Sequence, residues 1–394
     1  MKILIANPGS TSFKCKCYES SDWSVVFEAA LERIGEPESA LSYRHADKEP
    51  VDVRRPVADV EQAIQLILEA LQTHRSLDSL AAVGFKTVLA KGVNGCVQLD
   101  DSIIRAMQEY EPLAPLHTQI YLTAIRVFES LLPDTPRIGL FETTFHHNIP
   151  APAFTYAIPQ RYQDSLGLRK YGFHGASHWS IARYLESNYL ENKQSYTAIS
   201  CHLGGSSSIC AIRNGESVDT SMGMSPQCGL PNAKRVGDLD SFALLYLMEK
   251  ETLSPAAARE LLASESGILG ISGISGDFRD IQAAMARGSE RARLTFDTFA
   301  YSVKRYIGEY LAVLNGADFI VFTAGLGQHS PALRRAALEN MQNLGIELDE
   351  KLNAGTPKEG VISTPNSTVN VLVLPTHEEL IVAQQTADFI QENA

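Results

Sequence analysis

The sequence begins with an apolar run, continues through a short polar segment, and then alternates between apolar and polar residues. The three parts are Ile3–Ala6, Asn7–Ser12 and Phe13–Tyr18. An apolar run, a segment of glycine and hydroxyl residues, and an alternating segment predict strand, tight loop and strand. The first eighteen residues therefore predict a β-hairpin whose turn offers glycine and hydroxyl groups.

The same pattern recurs near residue 200, where YTAISCHLGGSSSICAIRNGESVDT spans residues 196–220. Gly204 lies 195 residues after Gly9, about half of the chain length. Two similar hairpins, one in each half, predict two related domains that face each other. The alternative is chance, because hairpins with glycine and serine turns are common.

Helical and extended patterns alternate along the rest of the chain, which predicts the α/β class. The predicted helices are Val57–His74, Pro115–Leu132, His178–Leu190, Ser289–Leu314 and Ser330–Leu344. The predicted buried strands are Arg137–Phe141, Thr197–Cys201, Phe319–Thr323 and Val369–Leu374. The proline-rich segment Asn148–Pro159 is predicted to be a hinge or crossover between domains. The longest helix carries an apolar stripe that predicts either core or a dimer face, formed by Phe296, Phe299, Ala300, Val303, Ile307 and Leu311.

Composition narrows the class of protein. A chain of 394 residues predicts two domains, and a net charge of -12 argues against a nucleic-acid partner. The sequence shows neither an N-terminal signal pattern nor eighteen consecutive apolar residues, so we expect a cytoplasmic protein with no membrane partner. Six cysteines in a chain of this length do not predict a disulfide scaffold, and we expect reduced thiols.

Three glycine-containing segments predict a site for phosphate. Successive backbone N–H groups of a glycine-rich turn attract an anion, and Asn7–Lys14 adds hydroxyl donors and a lysine. The turn near Gly204 is the second such segment. Thr323–Ser330 is predicted to be a loop that follows a buried strand and opens a helix, whose N-terminus favours negative charge. Neither GxxxxGK[ST] nor GxGxxG is present. Facing turns therefore predict a nucleotide held between two domains.

Ten motifs that occur in order resemble the acetate kinase family, which includes acetate, propionate and butyrate kinases of the actin-like and sugar-kinase superfamily. They are NPGSTSFK (7–14), APLH (114–117), FETTFHHNIP (141–150), YGFHGASH (171–178), HLGGSSS (202–208), VDTSMGMSP (218–226), RVGDLD (235–240), SGISGDFRD (272–280), FTAGLGQHS (322–330) and PTHEEL (375–380). The resemblance implies two duplicated actin-like (ribonuclease H-like) α/β domains with a nucleotide cleft between them. Residues 1–147 with 380–394 would form the N-terminal domain, closed by the C-terminal helix, and 148–379 the second domain, with most of the nucleotide site.

The resemblance also implies an activity and a role for individual residues. The reaction would be the reversible, Mg²⁺-dependent, in-line transfer of a phosphoryl group from ATP to a short carboxylate, acetate or propionate, giving ADP and an acyl phosphate, in a homodimer. The implied magnesium ligands are Asn7 and Glu378. The implied catalytic residues are Arg235, His174 and Glu142. The implied acyl-site residues are Lys86, Val88, Leu116, Phe173 and Pro226. The implied nucleotide-binding residues are Ser10, Ser12, Lys14, His202, Leu203, Gly204, Gly205, Ser206, Asp277, Phe278, Arg279, Gly325, Leu326, Gly327, Gln328 and His329.

The chain departs from the family pattern at four places. The acyl-site motif HRVVHGG is FKTVLAKG here, so that Lys86 replaces an arginine, and Glu142 replaces the aspartate of FDTAFH. Ser206 stands where HLGNG or HLGGG ends in glycine, and Gln328-His329 replaces the Glu-Asn of GIGEN. Lysine cannot form the paired hydrogen bonds that arginine makes to a carboxylate. The replacement of arginine by Lys86 therefore changes the hydrogen bonds that the site can offer to the acceptor carboxylate.

Several of these residues also have purely structural interpretations. His174 and His178 have helical spacing, but a metal site is not expected without a third ligand. His146 and His147 are expected to pack or cap rather than catalyse. Asp238 and Asp240 can cap a helix, as is expected for Asp240, and Glu378 and Glu379 suit a helix N-terminus with or without a metal. Arg235 can be a surface ion-pair residue, although its motif favours catalysis.

Three other functions remain open at this stage. One is a kinase for a longer, branched or substituted carboxylate. Another is a divergent relative that binds nucleotide as a sensor, without turnover. The third is an actin-like or chaperone-like ATPase, which the acyl-site motifs disfavour.

Overall fold

The computed structural model describes residues 1–9, 11–73, 79–190, 195–355 and 359–393, with the backbone alone at Leu116. The chain divides into two units, Met1–Thr144 with His377–Ala394 and Phe145–Thr376. The division at 144/145 falls three residues before the predicted domain boundary at 147/148. The assignment of functional domains to these units stays a prediction.

The described strands and helices follow one another in a mixed order. The strands are β1 (Lys2–Pro8), β2 (Ser12–Glu19), β3 (Val25–Glu32), β4 (Ser39–His45), β5 (Val51–Arg55), β6 (Leu80–Thr87), β7 (Cys96–Gln98), β8 (Arg137–Phe141), β9 (Thr197–Leu203), β10 (Ser207–Arg213), β11 (Glu216–Thr220), β12 (Phe319–Thr323), β13 (Gly360–Val361) and β14 (Asn370–Val373). The α-helices are α1 (Val60–Gln72), α2 (Asp101–Glu109), α3 (Pro115–Leu131), α4 (Ala151–Phe154), α5 (Gln160–Leu166), α6 (Gly175–Asn188), α7 (Ser241–Lys250), α8 (Pro255–Glu260), α9 (Gly267–Ser272), α10 (Phe278–Ala286), α11 (Glu290–Leu314), α12 (Ala324–His329), α13 (Pro331–Leu338), α14 (Glu350–Ala354) and α15 (Glu378–Glu392).

The sheet of the first unit has the strand order β5-β4-β3-β2-β1-β6-β8-β7. β1 pairs antiparallel with β2 and parallel with β6, and β6 pairs parallel with β8. The C-terminal helix α15 packs against β1 and β6. A Cβ atom on Gly84 of β6 would lie 2.6 Å from Thr386 Oγ1 and 2.8 Å from Ile5 Cδ1, so this close approach requires glycine.

The sheet of the second unit repeats this arrangement in the order β11-β10-β9-β12-β14-β13. β9 pairs antiparallel with β10 and parallel with β12, which in turn pairs parallel with β14. The two hairpins predicted from the sequence are β1–β2 and β9–β10, so both are confirmed. The six-stranded sheet matches the segment β3-β2-β1-β6-β8-β7 of the eight-stranded sheet, and the hairpins hold the same place in both, so their recurrence reflects repeated topology rather than chance.

The longest helix forms the centre of the second unit's core. α11 begins after Ser289, whose hydroxyl accepts a hydrogen bond from the backbone N–H of Ala292, and ends at Asn315 in a left-handed conformation. All six residues of its predicted apolar stripe are buried within one cluster. The stripe is therefore core, and the dimer-face alternative does not apply to those residues.

Several element predictions need correction at their ends. The helix predicted at His178–Leu190 begins at Gly175, and the single helix predicted at Ser330–Leu344 is α13 followed by a separate 3₁₀ turn, Gln342–Leu344. Asn340 has φ +58°, the left-handed conformation that stops a helix. The proline-rich segment predicted as a hinge lies within the second unit and contains α4.

The prediction of a loop at Thr323–Ser330 is wrong, because Ala324–His329 is a short helix despite its two glycines. Arg334 explains this difference. Its guanidinium is fully buried, and its Nη1 donates to the backbone carbonyls of Gly327 and Gln328, each at 2.8 Å. A cation that binds carbonyls at a helix C-terminus satisfies groups that would otherwise lack partners. The next helix in the chain thus supports α12.

None of the helices that the structure describes has both the length and the apolar content that a membrane span requires.

Candidate active site

The chemistry-bearing residues of the first unit lie at one edge of its sheet. Asn7 lies near the end of β1, Lys86 near the end of β6, and Glu142 follows β8 directly. These three strands are parallel, so their carboxyl-terminal ends meet at the same edge. The backbone N–H of Glu142 donates to the carbonyl of Thr87 at 2.8 Å, which fixes the position of Glu142 beside β6.

Lys86 joins two carboxylates that are far apart in sequence. Its Nζ lies 3.0 Å from Glu142 Oε1 and 2.5 Å from Glu378 Oε2, and the side chain of Lys86 is 20% exposed. Burial lowers the pKa of Lys86, but the charges of Glu142 and then Glu378 outweigh it and raise that pKa well above its usual range. Lys86 is therefore a permanent cation that the protein's own acids neutralise.

The first unit's hairpin arranges the other predicted phosphate contacts. Asn7 and Lys14 are directly opposite in the β1–β2 register, so their side chains lie on the same face of the sheet. The turn is closed by a 2.7 Å hydrogen bond from the Gly9 N–H to the carbonyl of Ser12. The hydroxyl of Tyr121 lies 3.4 Å from Asn7 Oδ1. The predicted contact Ser10 lies outside the described residues.

The two acidic residues at the start of α15 have different partners. Glu379 forms an ion pair with Lys16 at 2.8 Å, whereas Glu378 pairs with Lys86. Both residues lie in the first turn of the helix, where negative charge is stabilised. Both residues therefore fit the predicted structural role of acidic side chains at a helix N-terminus. The ion pair with Lys86 gives Glu378 a further role.

Arg235 dominates the corresponding edge of the second unit. Its Nη2 donates a hydrogen bond to Ser206 Oγ, and among the described residues this hydroxyl is its one side-chain partner. Burial lowers the pKa of the guanidinium to about 10, still far above neutral pH. The side-chain amide nitrogen of Asn232 is also buried and has no hydrogen-bond partner among the described residues. Within the described part of the chain, the structure thus holds a cation without an acidic partner and a buried amide donor without a hydrogen-bond partner.

Gly267 packs directly against the backbone of the segment that carries Arg235. Gly267 has φ +61°, and a Cβ atom there would lie 2.1 Å from the carbonyl oxygen of Asn232 and 2.5 Å from that of Arg235. Only glycine permits this approach. The backbone that carries the guanidinium is therefore held against the start of α9.

A chain of hydroxyl and imidazole groups leads from the interior to Ser206. Ser200 Oγ lies 2.9 Å from His178 Nδ1, and His178 Nε2 lies 2.8 Å from Ser208 Oγ. The same Ser208 oxygen lies 2.8 Å from His174 Nδ1, and His174 Nε2 lies 2.8 Å from Ser206 Oγ. Burial lowers the pKa of His178 well below its usual range, so this ring is neutral. Each ring nitrogen of His174 and His178 thus has a hydroxyl partner.

His174 is held in an unusual conformation at the start of α6. Its φ is +58°, which is uncommon for a residue other than glycine and is found preferentially at functional sites. The ring stacks on His202 with centroids 4.2 Å apart, and His202 Nδ1 lies 2.7 Å from Ser177 Oγ. A metal site at His174 and His178 is not supported, because hydroxyl groups occupy their ring nitrogens.

The structural interpretation of His146 and His147 is confirmed for His146 only. His146 is buried, with Nδ1 2.8 Å from Ser217 Oγ and Nε2 2.9 Å from the carbonyl of Phe173. Burial lowers the pKa of His146 to about 4. His147 is exposed, so the two residues do not form a packed pair. Asp240 caps α7 as predicted, since its side chain accepts a hydrogen bond from the Phe242 N–H.

A cavity of about 710 Å³ opens beside the glycine turn of β9–β10. This volume is in the range of small-molecule sites. Eight of the predicted nucleotide-binding residues line it, namely Gly204, Gly205, Asp277, Phe278, Arg279, Gly325, Leu326 and His329. Six further residues complete the lining: Ser275, Gly276 and Ser330, which lie in the quoted motifs, and Ala233, Lys234 and Gln282, which lie outside them.

Two of the three residues outside the motifs carry a signal in the sequence. Lys234 directly precedes Arg235, and Gln282 lies one helical turn after Phe278 on α10. Gln282 Nε2 donates to Ser330 Oγ at 3.0 Å, which ties α10 to the start of α13. Gly327 and Gln328 do not line the cavity, and their carbonyls instead accept the bonds from Arg334.

The predicted acyl-site residues are distributed over both units. Val88 is buried in the first unit, and Phe173 and Pro226 are buried in the second. The side chain of Leu116 lies outside the described residues. Their apolar character suits a small acyl group.

The described geometry defines a class of protein. A cavity of small-molecule size, glycine turns and a cation that has no acidic partner among the residues described are features that suit an enzyme that transfers phosphoryl groups by positioning and charge stabilisation. Comparison with known proteins gives the family. Residues 2–384 match the model of the acetokinase family, and the chain belongs to that family. It is a carboxyl-group phosphotransferase that depends on ATP.

Relatives and solved structures agree over the full length. The acetate kinase of Moorella thermoacetica is 41% identical over 99% of this chain and 100% of its own, and that of Desulfitobacterium hafniense is 39% identical over 100% of both. The structure of Porphyromonas gingivalis acetate kinase matches with a TM-score of 0.86 at 36% identity, covering 99% of each chain. A propionate kinase from Francisella tularensis matches with a TM-score of 0.89 at 27% identity and 98% coverage of both. The predicted fold of two actin-like domains is thereby confirmed.

Substitution of Gly325 by valine tests whether the cavity binds nucleotide. A Cβ atom on Gly325 meets no protein atom within 4 Å, so the protein tolerates the change while the side chain projects into the cavity. We expect Gly325→Val to weaken binding of ATP with Mg²⁺ by about tenfold or more, because steric overlap removes contacts worth at least ~1.4 kcal/mol. Isothermal titration calorimetry measures the change.

Gly308→Val is the matched control for this substitution. Gly308 also has open space around its Cβ position, but it lies on α11 and does not line the cavity. The affinity of the Gly308→Val variant for ATP should equal that of the unmodified protein. Unchanged ATP binding by Gly325→Val would mean that the adenosine group binds elsewhere.

Proposed function

We propose that this chain phosphorylates a short carboxylate, with acetate as the first choice and propionate as the second, to give an acyl phosphate. The observation that carries the proposal is Arg235, a cation with a hydroxyl as its described side-chain partner, beside a turn that lines the cavity. Such a cation suits an anionic group like the transferred phosphate. The names of the relatives, acetate kinase and propionate kinase, support the choice of acceptor.

The proposed reaction requires no general base. A carboxylate acceptor with a pKa of about 4–5 is already ionised at neutral pH. One of its oxygens attacks the γ-phosphorus of ATP and forms the new O–P bond. The bond from the γ-phosphorus to the bridging oxygen breaks, and its electron pair leaves with ADP. The reverse steps form ATP, so the reaction is reversible.

Catalysis then depends on positioning and on stabilisation of negative charge. We assign the equatorial oxygens of the transferred group to Arg235 and His174. We assign the adenosine group to the cavity at Asp277–Arg279 and Gly325–His329. The phosphates would contact the backbone N–H groups of the two hairpin turns, with Ser12, Lys14 and His202–Ser206 as the contributing residues.

Lys86 is the proposed anchor for the acceptor carboxylate. Its charge is permanent, and Glu142 holds its Nζ in place at 3.0 Å. Glu142 therefore acts by positioning Lys86 rather than by accepting a proton. The acyl group would contact the apolar residues that the resemblance implies, Val88, Leu116, Phe173 and Pro226.

Magnesium is the proposed cofactor, and the residues present fit it chemically. Mg²⁺ prefers oxygen ligands and in kinases uses one or two carboxylates together with substrate phosphates. Glu378 supplies a carboxylate and Asn7 an amide oxygen, both in the first unit. A bound Mg²⁺ ion neutralises phosphate charge. Because Lys86 already holds one oxygen of Glu378, this carboxylate would serve both cations.

A homodimer is the proposed assembly, as the resemblance implies. α7 exposes large apolar side chains, with Phe242 78% and Tyr246 63% exposed, which a second copy of the chain would cover. Multi-angle light scattering should then give about twice the 43.1 kDa of one chain. A mass of one chain at micromolar concentration would contradict the proposal.

A hydroxamate assay over a panel of carboxylates tests the proposed activity. Hydroxylamine traps acyl phosphates, so product should form with ATP, Mg²⁺ and acetate or propionate. Arg235→Ala should lower kcat and kcat/KM together by about 10³–10⁵, with little change in the KM for ATP, because its bonds to the phosphoryl group strengthen most in the transition state. Arg235→Lys keeps the positive charge but loses the paired N–H donors of the guanidinium. Its kcat should therefore lie between that of Arg235→Ala and that of the unmodified protein.

Arg213→Ala is the matched control, since Arg213 is exposed at the end of β10 and remote from the described site residues. It should retain full activity. Absence of hydroxamate with every carboxylate would contradict the proposed function and favour a nucleotide sensor. A raised KM for the carboxylate alone in Arg235→Ala would make Arg235 a substrate anchor instead.

Restoring the family's usual pair tests the acceptor site. Lys86→Arg combined with Glu142→Asp should lower the KM for acetate by roughly ten- to a hundredfold, because arginine adds a charge-assisted hydrogen bond worth ~1.5–3 kcal/mol. The single Lys86→Arg change should lower the KM for acetate by a smaller factor, because the larger guanidinium then lies beside the longer side chain of Glu142. The two changes should therefore be non-additive, as expected for residues in contact.

Lys16→Arg provides the control for the lysine-to-arginine change itself, because Lys16 forms a similar ion pair with Glu379 in the same unit. It should leave the KM for acetate unchanged. A double variant that loses activity on acetate while activity on a larger carboxylate persists would show that this site is built for the larger acceptor.

A further inference from the structure

The hydroxyl of Ser206 occupies the point on which the two proposed phosphoryl-binding groups converge. Arg235 Nη2 donates to Ser206 Oγ, and His174 Nε2 lies 2.8 Å from the same oxygen. Because both contacts end on one atom, the two nitrogens are placed to bind a single acceptor oxygen. A phosphoryl oxygen accepts hydrogen bonds from a guanidinium and from an imidazole nitrogen that carries a proton, so the exchange uses the His174 tautomer with its proton on Nε2.

We propose that Ser206 is a positioning residue that competes with the transferred phosphoryl group. Its oxygen binds Arg235 and His174 in the phosphate-free enzyme and is replaced when a phosphoryl oxygen arrives. The hydroxyl keeps both groups in the binding arrangement and at the same time weakens phosphoryl binding. This inference rests on the proposed function, since it assigns the phosphoryl group to Arg235 and His174.

The competing oxygen is a property of this chain. The family pattern ends this turn in glycine, which has no side chain to offer, so that only a ligand or solvent oxygen can bind there. A hydroxyl that is tethered to the turn is always close to its partners, and its effective concentration is correspondingly high. Ser206 should therefore compete more strongly than a water molecule.

The contacts that hold the site in place do not depend on the Ser206 side chain. His174 keeps its bond to Ser208 at the other ring nitrogen, 2.8 Å away. The turn is held by a 2.9 Å hydrogen bond from the Ala233 N–H to the carbonyl of Gly205 and by one from the Ser207 N–H to Asn232 Oδ1 at 2.5 Å. Removal of the hydroxyl should thus free the acceptor position without moving His174 or the turn.

The test compares Ser206→Ala, Ser206→Gly and Ser206→Thr in the full chain. Calorimetry with inorganic phosphate measures binding, and the ATP-forming reaction with ADP gives the KM for acetyl phosphate and kcat. The alanine and glycine variants should bind phosphate and acetyl phosphate roughly two- to tenfold more tightly, the equivalent of one hydrogen bond, with kcat little changed. The threonine variant retains the hydroxyl, so it should bind phosphate no more tightly than the unmodified protein.

Ser207→Ala controls for disturbance of the turn. Ser207 Oγ bonds only within the turn among the described residues, to the N–H and carbonyl of Gly204, so this variant should lower Tm without tightening phosphate binding. Weaker binding or a lower kcat in Ser206→Ala and Ser206→Gly, or no change, would overturn the inference. An unmodified protein that turns over no acyl phosphate would contradict the proposed function, while the phosphate titrations would still decide the role of Ser206.

Discussion

The parallel pairing of neighbouring strands is the constraint on which the candidate site depends. In the first unit, β1, β6 and β8 end at one edge of the sheet, and Asn7, Lys86 and Glu142 lie at those ends. In the second unit, the parallel strands β9 and β12 also end at one edge, where the glycine turn follows β9 and α12 follows β12. Residues that are distant in sequence are thereby brought to a common edge, where their charges interact.

The protein treats its partly or fully buried cations in three different ways. Lys86 is neutralised by two carboxylates, which raise its pKa and keep it charged. Arg334 is fully buried and binds backbone carbonyls together with the side chain of Asn353, so its role is to hold α12. Arg235 has a serine hydroxyl in place of an acid. Because an unneutralised cation is costly inside a protein, the arrangement of Arg235 suits an anionic ligand such as a phosphoryl group.

Sequence reasoning succeeded where the controlling interactions are local. The hairpins, the strands Arg137–Phe141 and Phe319–Thr323 and the apolar stripe of α11 follow from patterns that repeat over a few residues. It failed at Ala324–His329, where glycines predicted a loop. That helix is supported by a guanidinium five or more residues further along the chain, and no local pattern shows which way that side chain turns.

By itself, the sequence determined the α/β class, the two repeated hairpins, the family and most of the residues that line the cavity beside the β9–β10 turn. Only the tertiary structure decided the partners of the reactive side chains. Lys86 and Glu378 form an ion pair although they are 292 residues apart in the sequence. Ser206 was predicted as a nucleotide contact, and its hydroxyl is hydrogen-bonded to Arg235 and His174. The physical reason is range: patterns of apolar and polar residues report local backbone preferences, whereas ion pairs and hydrogen bonds form between whichever groups the packed sheets bring within about 3 Å.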